Sequence, residues 1–270
     1  MSIPTLIGVP YDAKSSYLKG ASRGPAAIRE ALRSPAGNSF TESLIDIDAD
    51  GMLGDAGDVP LLDDSYPVDA VATAVDAVVA ADGIPLALGG DHSITYPLLR
   101  ALARHVPDLT ILHFDAHNDL YDEFDGDRYS HACPFARVME ERLAQRLVQV
   151  GIRTMTAHQR QQADRFDVEV IDMRAWQRGD RFHLLGPVYL SVDLDVLDPA
   201  FAPGLSHREP GGMSTRDLLD AIYSLDVPIA GADVVELNPD RDIGGLTAAV
   251  AAKVVKELAA RMHETNRAIG

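Results

Sequence analysis

Residues 109–119, which read LTILHFDAHND, hold the pattern that decides the fold. Leu109–Phe114 is apolar at nearly every position, as expected for a strand buried on both faces of a parallel sheet. The strand runs directly into Asp115, His117 and Asp119, which are spaced two apart and project from one face of an extended backbone. A histidine between two aspartates at a strand end has few structural roles, so this stretch also predicts a functional site.

The same alternation of apolar runs and amphipathic stretches extends along the chain. Further strands are predicted at Thr5–Val9, Pro85–Leu88, Leu147–Ile152, Val188–Val192 and Ile229–Val235. Helices are predicted at Ala26–Arg33, Val68–Ala81, Tyr96–Arg104, Phe135–Arg146, Thr215–Ser224 and Leu246–Met262. This order predicts an α/β fold, with a parallel sheet between two layers of helices. No repeat or linker divides the sequence, so we expect one domain over residues 1–270.

The chain has 46% apolar residues and a formal net charge of −17. So acidic a surface repels nucleic acid and anionic membranes, and it favours the approach of a cationic small molecule. No stretch approaches the roughly 20 apolar residues of a membrane helix, and no secretory pattern is visible. The single cysteine, Cys133, cannot form an intrachain disulfide and is expected to pack rather than react. We therefore expect a cytoplasmic protein.

Carboxylates and imidazoles follow three more of the predicted strands. His92 follows one strand within GGDHS, Asp193 and Asp195 follow a second, and Glu236 follows a third. The carboxyl ends of parallel strands meet at one rim of the sheet, where ligands bind in such folds. Desolvated carboxylates repel one another strongly, and divalent cations resolve that conflict. The pattern therefore predicts a metal site at this rim.

The expected ligands are four carboxylates and two imidazoles. They are His92, Asp115, His117, Asp119, Asp193 and Asp195. Six ligands are too many for one tetrahedral zinc, so two ions at about 3.5 Å separation are expected. A mostly oxygen set suits Mn²⁺, with Co²⁺, Ni²⁺, Fe²⁺ or Zn²⁺ as alternatives. The sequence thus predicts a soluble enzyme that uses two metal ions to activate water for hydrolysis.

Longer motifs resemble those of the ureohydrolase superfamily, which includes arginases and agmatinases. They are GGDHS (89–93), DAHND (115–119), SVDLDVLDPAFAPG (191–204) and VVELNPDRD (234–242). The resemblance covers most of the chain. It implies a three-layer α/β/α sandwich around an eight-stranded parallel sheet, an arginase/deacetylase-like fold. It also implies two Mn²⁺ per subunit, release of urea from a guanidino substrate, and a homotrimer or homohexamer.

The resemblance implies a role for each site residue. Asp115 and Asp193 would bridge the two ions, one of which also takes His92 and Asp119 and the other His117 and Asp195. Since two cations turn water into hydroxide near neutral pH, we expect hydroxide to attack the guanidinium carbon. Three residues have catalytic roles by motif position: Asp119 orients the hydroxide, Glu236 pairs with the guanidinium, and His131 shuttles a proton to the departing amine.

The other histidines receive different interpretations. His113 lies inside the apolar strand and is expected to be a core residue. His207 follows the strand that carries Asp193, and could line the site entrance. The remaining four are expected to be exposed: His105, His158, His183 and His263.

The substrate depends on two loops, 122–130 and 204–209, which we expect at the pocket mouth. Arg128 and Arg208 could meet a carboxylate there. Three acidic residues could meet an ammonium group: Asp122, Asp125 and Glu209.

The stretches at 121–141 and 201–219 resemble plant-type arginases most closely, which favours hydrolysis of L-arginine to L-ornithine and urea. Agmatine hydrolysis to putrescine and urea, or guanidinobutyrase activity, is the alternative. Two other classes stay open at this point. A metal-stabilised scaffold would be expected to lack a ligand, and a deacetylase-like enzyme would typically use a single zinc.

Overall fold

The computed structural model describes residues 2–61 and 65–267, and its strands form one parallel sheet. The strands are β1 (Ile3–Val9), β2 (Gly54–Asp58), β3 (Gly83–Gly89), β4 (Thr110–Phe114), β5 (Arg146–Val150), β6 (Glu169–Ile171), β7 (Val188–Asp193) and β8 (Ile229–Val235). Their order across the eight-stranded sheet is β2-β1-β3-β8-β7-β4-β5-β6. This confirms the predicted α/β class and the eight parallel strands.

Helices cover both faces of the sheet. They are α1 (Gly24–Leu32), α2 (Val68–Ala80), α3 (Thr95–Leu102), α4 (Pro134–Glu140), α5 (Ala157–Arg165), α6 (Met173–Arg178), α7 (Thr215–Tyr223) and α8 (Leu246–Arg267). Buried side chains of α1, α6, α7 and α8 join one hydrophobic cluster with the sheet, and those of α2 to α5 join a second. The three-layer sandwich is therefore confirmed. None of the helices in the described ranges is both long enough and apolar enough to cross a membrane.

The strand β4 shows why an apolar run predicts this architecture. All five of its residues are buried. Leu112 and Phe114 point into one hydrophobic cluster, and Ile111, one residue before Leu112, points into the other. Removing such a side chain from water contributes about 1.5–3 kcal/mol to folding. A strand between two helix layers must therefore be apolar on both faces.

Two strands and two helices were not predicted from the sequence. The edge strand β2 reads GDAGD and is mostly exposed, and the opposite edge strand β6 has three residues. The helix α5 reads AHQRQQADR, which has too few apolar residues to show a helical period. It begins instead with a capping box, in which Thr156 and Gln159 satisfy each other's backbone amides. The short helix α6 follows an Asp172 cap.

The predicted helix Phe135–Arg146 is too long. The observed α4 ends at Glu140, and Arg146 already begins β5. Arg142 has a φ of 54°, a left-handed backbone conformation that a helix cannot contain. The apolar residues after Glu140 therefore belong to a turn that leads into the next strand.

Four neighbouring strands carry the predicted site. The strands β3, β8, β7 and β4 are consecutive in the sheet. These are the four whose carboxyl ends run into His92, Glu236, Asp193 and Asp115. Because all strands are parallel, these ends share one rim, and the fold brings together residues that are far apart in the sequence.

Candidate metal centre and active site

The imidazole of His92 faces three carboxylates. Its Nδ1 lies 3.2 Å from Asp115 Oδ2, 3.1 Å from Asp119 Oδ2 and 3.1 Å from Asp193 Oδ2. All four side chains are buried, and Nδ1 has no hydrogen-bond partner among the described residues. A buried lone pair surrounded by carboxylate oxygens is a suitable arrangement for a bound cation.

A second group lies on the other side of Asp115. His117 Nδ1 is 2.9 Å from Asp195 Oδ2 and 3.5 Å from Asp115 Oδ1. Asp115 therefore contributes one oxygen to each group. Asp193 directs Oδ2 toward His92, while its Oδ1 accepts a hydrogen bond of 2.8 Å from the Asp195 amide. All six residues predicted as ligands thus lie together at the rim.

Electrostatics favour a cation in this cluster. Burial, together with the negative charges of Asp195 and Asp115, raises the pKa of Asp193 well above its usual value. Burial and then Asp115 raise the pKa of Asp195 to about 6. Both shifts mean that the ionised carboxylates are unfavourable neighbours when only protein atoms surround them. The oxygen-rich donor set and the unpartnered His92 Nδ1 therefore fit divalent metal ions.

The Nε2 atom of His92, on the side of the ring away from the carboxylates, is held by a hydrogen-bond relay through Ser191 to Asp233. His92 Nε2 lies 3.0 Å from Ser191 Oγ, which donates to Asp233 Oδ1 at 2.7 Å. Asp233 also accepts hydrogen bonds from the hydroxyls of Tyr189 and Thr95. Since Ser191 gives its proton to Asp233, the hydrogen-bond network assigns the His92 proton to Nε2. This leaves Nδ1 as a free ligand atom, as in other carboxylate–histidine–metal arrangements.

His113 is buried, as predicted for a core residue, but it also orients Asp115, one of the predicted ligands. Its Nε2 lies 2.8 Å from Asp115 Oδ2, and the Gln149 amide donates to its Nδ1 at 3.0 Å. The ring therefore donates from Nε2 to Asp115. The sequence held one signal for this role, because His113 is two residues before Asp115 and so shares its face of the strand.

Glu236 and His131 form a buried pair beside the predicted metal ligands. Glu236 Oε1 lies 3.1 Å from His131 Nδ1 and accepts a 2.9 Å hydrogen bond from the His92 amide. On the far side of the ring, Ser16 Oγ lies 2.8 Å from His131 Nε2. Burial favours a neutral ring, but the hydrogen bond and charge of Glu236 outweigh it and raise the pKa of His131 to about 9.

Two of these residues have left-handed backbones. The φ angles are 45° at Asp119 and 69° at Glu236. Non-glycine residues adopt this conformation at a cost of about 1–2 kcal/mol. Such conformations cluster at functional sites, where surrounding contacts hold them.

The loop that carries His92 depends on Gly90. A Cβ atom at Gly90 would lie 1.8 Å from the carbonyl oxygen of Tyr11. The same oxygen accepts a 2.9 Å hydrogen bond from the Asp91 amide. A glycine is therefore needed for the chain to pass Tyr11 this closely and deliver His92 to the rim.

His207, which the sequence suggested for the site entrance, lies beside the candidate site. Its half-buried ring is 5.1 Å from the His131 ring and 6.2 Å from the His117 ring, measured between centroids. The exposed Tyr17 contacts it from the solvent side at 5.9 Å.

The two arginines expected at the pocket mouth, Arg128 and Arg208, already have hydrogen-bond partners. Arg128 donates to Asp122 at 2.7 Å and to Glu140 at 2.9 Å. Arg208 donates to the carbonyl oxygen of Arg241 at 3.2 Å. A substrate carboxylate would therefore have to compete with these partners.

His105, His158 and His183 are exposed, as predicted, but the prediction for His263 is wrong. His263 is 4% exposed, and its Nε2 lies 2.6 Å from the carbonyl oxygen of Met52. It belongs to the part of α8 that packs inward, so a polar residue type did not indicate an exposed position. Cys133 is buried, and burial raises the pKa of its thiol to about 12, in agreement with a packing role.

Comparisons with known proteins agree with this site. The sequence model of the Arginase family matches residues 4–260. Arginase 1, mitochondrial, of Arabidopsis thaliana is 46% identical over 96% of this chain and 81% of its own length. Guanidinopropionase of Pseudomonas aeruginosa is 37% identical over 96% of this chain and 86% of its own length. The solved arginase structure from Medicago truncatula has a TM-score of 0.92 and 43% identity, covering 97% of this chain and 87% of that one.

The expectation of a cytoplasmic protein is wrong by the same comparison. The Arabidopsis relative is named mitochondrial, as are further arginases of similar identity. These names point away from the cytoplasm and toward an organelle. A lone cysteine fits any reducing compartment, so it could not separate one from another.

The similarity is not confined to the ligand motifs, because both the family match and the structural match extend over nearly the whole sheet and its helices. Together with the two buried ligand groups, these matches establish that the chain belongs to the arginase family of metal-dependent ureohydrolases.

Proposed function

We propose that this protein is an arginase, which hydrolyses L-arginine to L-ornithine and urea with two Mn²⁺ ions per subunit. The observation that carries the proposal is the buried Glu236–His131 pair beside the two ligand groups. This pair would provide a carboxylate for a guanidinium and an imidazole for a leaving amine at one rim. The 46% identity to a plant arginase supports arginine as the substrate.

The two ligand groups define which residues would hold the metals. His92 and Asp119 would bind one ion, His117 and Asp195 the other, with Asp115 and Asp193 shared (the six residues predicted from the sequence). When bound, two divalent cations lower the pKa of water to near neutral and so supply the nucleophile. The oxygen-rich donor set favours Mn²⁺.

Glu236 would receive the guanidinium. It is 5% exposed, and the His92 amide fixes one of its oxygens. A charged pair in such a site is strong because little solvent screens it. The ion pair between Glu236 and the guanidinium would hold the guanidinium carbon next to the proposed metal ligands. There Asp119 can accept a hydrogen bond from the attacking oxygen and orient it.

His131 would give a proton to the departing amine. Its pKa of about 9 keeps the ring protonated at neutral pH. The ring is 9% exposed and held between Glu236 and Ser16, so it has a fixed orientation. The leaving ornithine nitrogen must gain a proton as its bond to carbon breaks, and a positioned imidazolium can supply it.

Agmatine is the second candidate substrate. The observation that favours it is the engagement of Arg128 by Asp122 and Glu140, which leaves that guanidinium less available to an α-carboxylate. Agmatine has no such carboxylate.

Assaying urea release from L-arginine, agmatine, guanidinobutyrate and guanidinopropionate with the Mn²⁺-loaded protein separates these activities. We expect the highest kcat/KM on L-arginine. A higher kcat/KM on agmatine would overturn the assignment in favour of the second candidate.

We further infer one domain over residues 1–270 and a homotrimer or homohexamer, by analogy with the family. Light scattering coupled to gel filtration tests the assembly. A mass of one subunit at micromolar concentration would contradict it.

A further inference from the structure

His131, His207 and Glu236 lie close enough to share one ion. One ligand atom from each lies within 4.8 Å of the other two. His131 Nδ1 and Glu236 Oε1 are 3.1 Å apart, which is close to the spacing of two neighbouring ligands on one ion. Glu236 and His131 are buried, while His207 is half-buried and its ring contacts the exposed Tyr17.

The donor types differ from those of the two aspartate-rich groups. Two imidazoles and one carboxylate form the ligand set of many zinc sites that keep a fourth position open. Zn²⁺ binds nitrogen donors more strongly than Mn²⁺ does. Burial lowers the pKa of His207, so this ring keeps a free lone pair at neutral pH.

A cation at this place would replace the proton of His131. The four aspartates of the two ligand groups and Glu236 carry one more negative charge than two divalent ions can balance, and the protonated His131 beside Glu236 supplies the missing positive charge. Binding of a metal ion displaces the proton of an imidazole ligand, so a metal cation can take the place of that proton.

We propose that His131, His207 and Glu236 form a third metal site, which takes Zn²⁺ or a similar nitrogen-preferring ion and excludes the guanidino substrate. The inhibitory part rests on the proposed function, because Glu236 and His131 would be the groups that the substrate needs. The binding part rests only on the geometry of the three side chains.

Isothermal titration of the Mn²⁺-loaded protein with ZnCl₂ tests the binding part. We expect one Zn²⁺ per subunit beyond the resident metals, and binding at least tenfold weaker in His207→Ala. Elemental analysis after gel filtration must show that Mn²⁺ is retained. His183→Ala is the matched control, since His183 is exposed and lies before β7, at the opposite end of the sheet from the site. His207→Gln serves as a second variant should His207→Ala fail to fold.

Unchanged Zn²⁺ affinity in the His207 variants would overturn the proposal, as would release of one Mn²⁺ for each Zn²⁺ taken up. Steady-state assays add a second readout, in which Zn²⁺ should raise the KM for L-arginine without changing kcat. Zn²⁺ binding without any guanidino hydrolysis would refute the proposed function and leave the site intact. Hydrolysis with no third bound ion would refute the site and leave the function intact.

Discussion

Arg153 holds the backbone of Asp195, a proposed metal ligand, because its Nη2 donates to the Asp195 carbonyl oxygen at 2.5 Å. The same guanidinium donates to the carbonyl oxygens of Val196 and Glu209, at 3.2 Å and 2.5 Å. One side chain therefore ties the turn after β7 to the loop that carries His207. This links the metal centre to the pocket mouth.

Replacing Arg153 with methionine should weaken binding of the ion near Asp195 by about tenfold, which is the lower end of losses for residues that orient ligands. It should also destabilise the protein by about 2–3 kcal/mol, since several buried carbonyl groups lose a charged donor. Metal titration and urea unfolding measure the two effects. Arg160→Met, at an exposed arginine nearby, is the control and should change neither.

Ser191→Ala should weaken metal binding by about 10- to 100-fold, because His92 then loses the hydroxyl that fixes its proton on Nε2. Competition with a fluorescent chelator measures the affinity. Ser224→Ala removes an exposed hydroxyl far from the site and should have no effect. Equal affinities in the two variants would show that the relay does not position His92.

His131→Asn should lower kcat by about 10²–10⁴-fold, the usual contribution of a positioned acid. The metal content should stay at the wild-type level, since His131 is outside both ligand groups. Urea release and elemental analysis on the same sample test this. An unchanged rate would remove His131 from the mechanism.

Removal of the metals should destabilise the protein, because the buried aspartates then repel one another. Each site should regain about 2.7 kcal/mol of unfolding free energy when Mn²⁺ is present at 100 times its Kd. Chemical unfolding with and without a chelator measures the difference. A chelator that leaves the midpoint unchanged would argue that no metal is bound.

Glu42 should stabilise the protein in a pH-dependent manner. Its hydrogen bond with Arg216, assisted by Lys253, lowers its pKa from 4.5 to about 2. Because the folded pKa lies below the unfolded one, the stabilisation is complete above about pH 5 and is lost as the pH falls toward 2. The pair is partly exposed, at 38% and 55%, so screening limits the effect to about 1 kcal/mol.

Urea unfolding of metal-free protein at pH 7, 5 and 4 tests this expectation. Glu42→Gln should be less stable than wild type at pH 7, and the difference should shrink at pH 4. Glu123→Gln, at an exposed glutamate, is the control. A difference that grows on acidification would contradict the argument.

The sequence predicted those parts of the fold and site that leave a local pattern. The run Leu109–Phe114 predicted a buried strand, and the aspartates after it predicted residues that the fold brings together with His92. The relay behind His92 left no such pattern, since His92 and Ser191 are 99 residues apart and Ser191 and Asp233 are 42 apart. Such contacts depend on the order of strands in the sheet.

Edge strands and polar helices were missed for a different reason. The strand β2 has a neighbour on one side only, and α5 has few buried residues, so neither needs an apolar period. His263 was predicted on the wrong side of its helix because one polar residue says little about which face it occupies. Position in the folded protein decides burial in such cases.

The left-handed backbones of Asp119 and Glu236 set a limit on engineering this protein. Glycine at either position would relax the main chain and could raise the melting temperature while removing a carboxylate that the proposed mechanism needs. A screen that measures only how much protein stays soluble after heating would therefore enrich inactive variants. Such a screen must measure turnover as well as thermal stability.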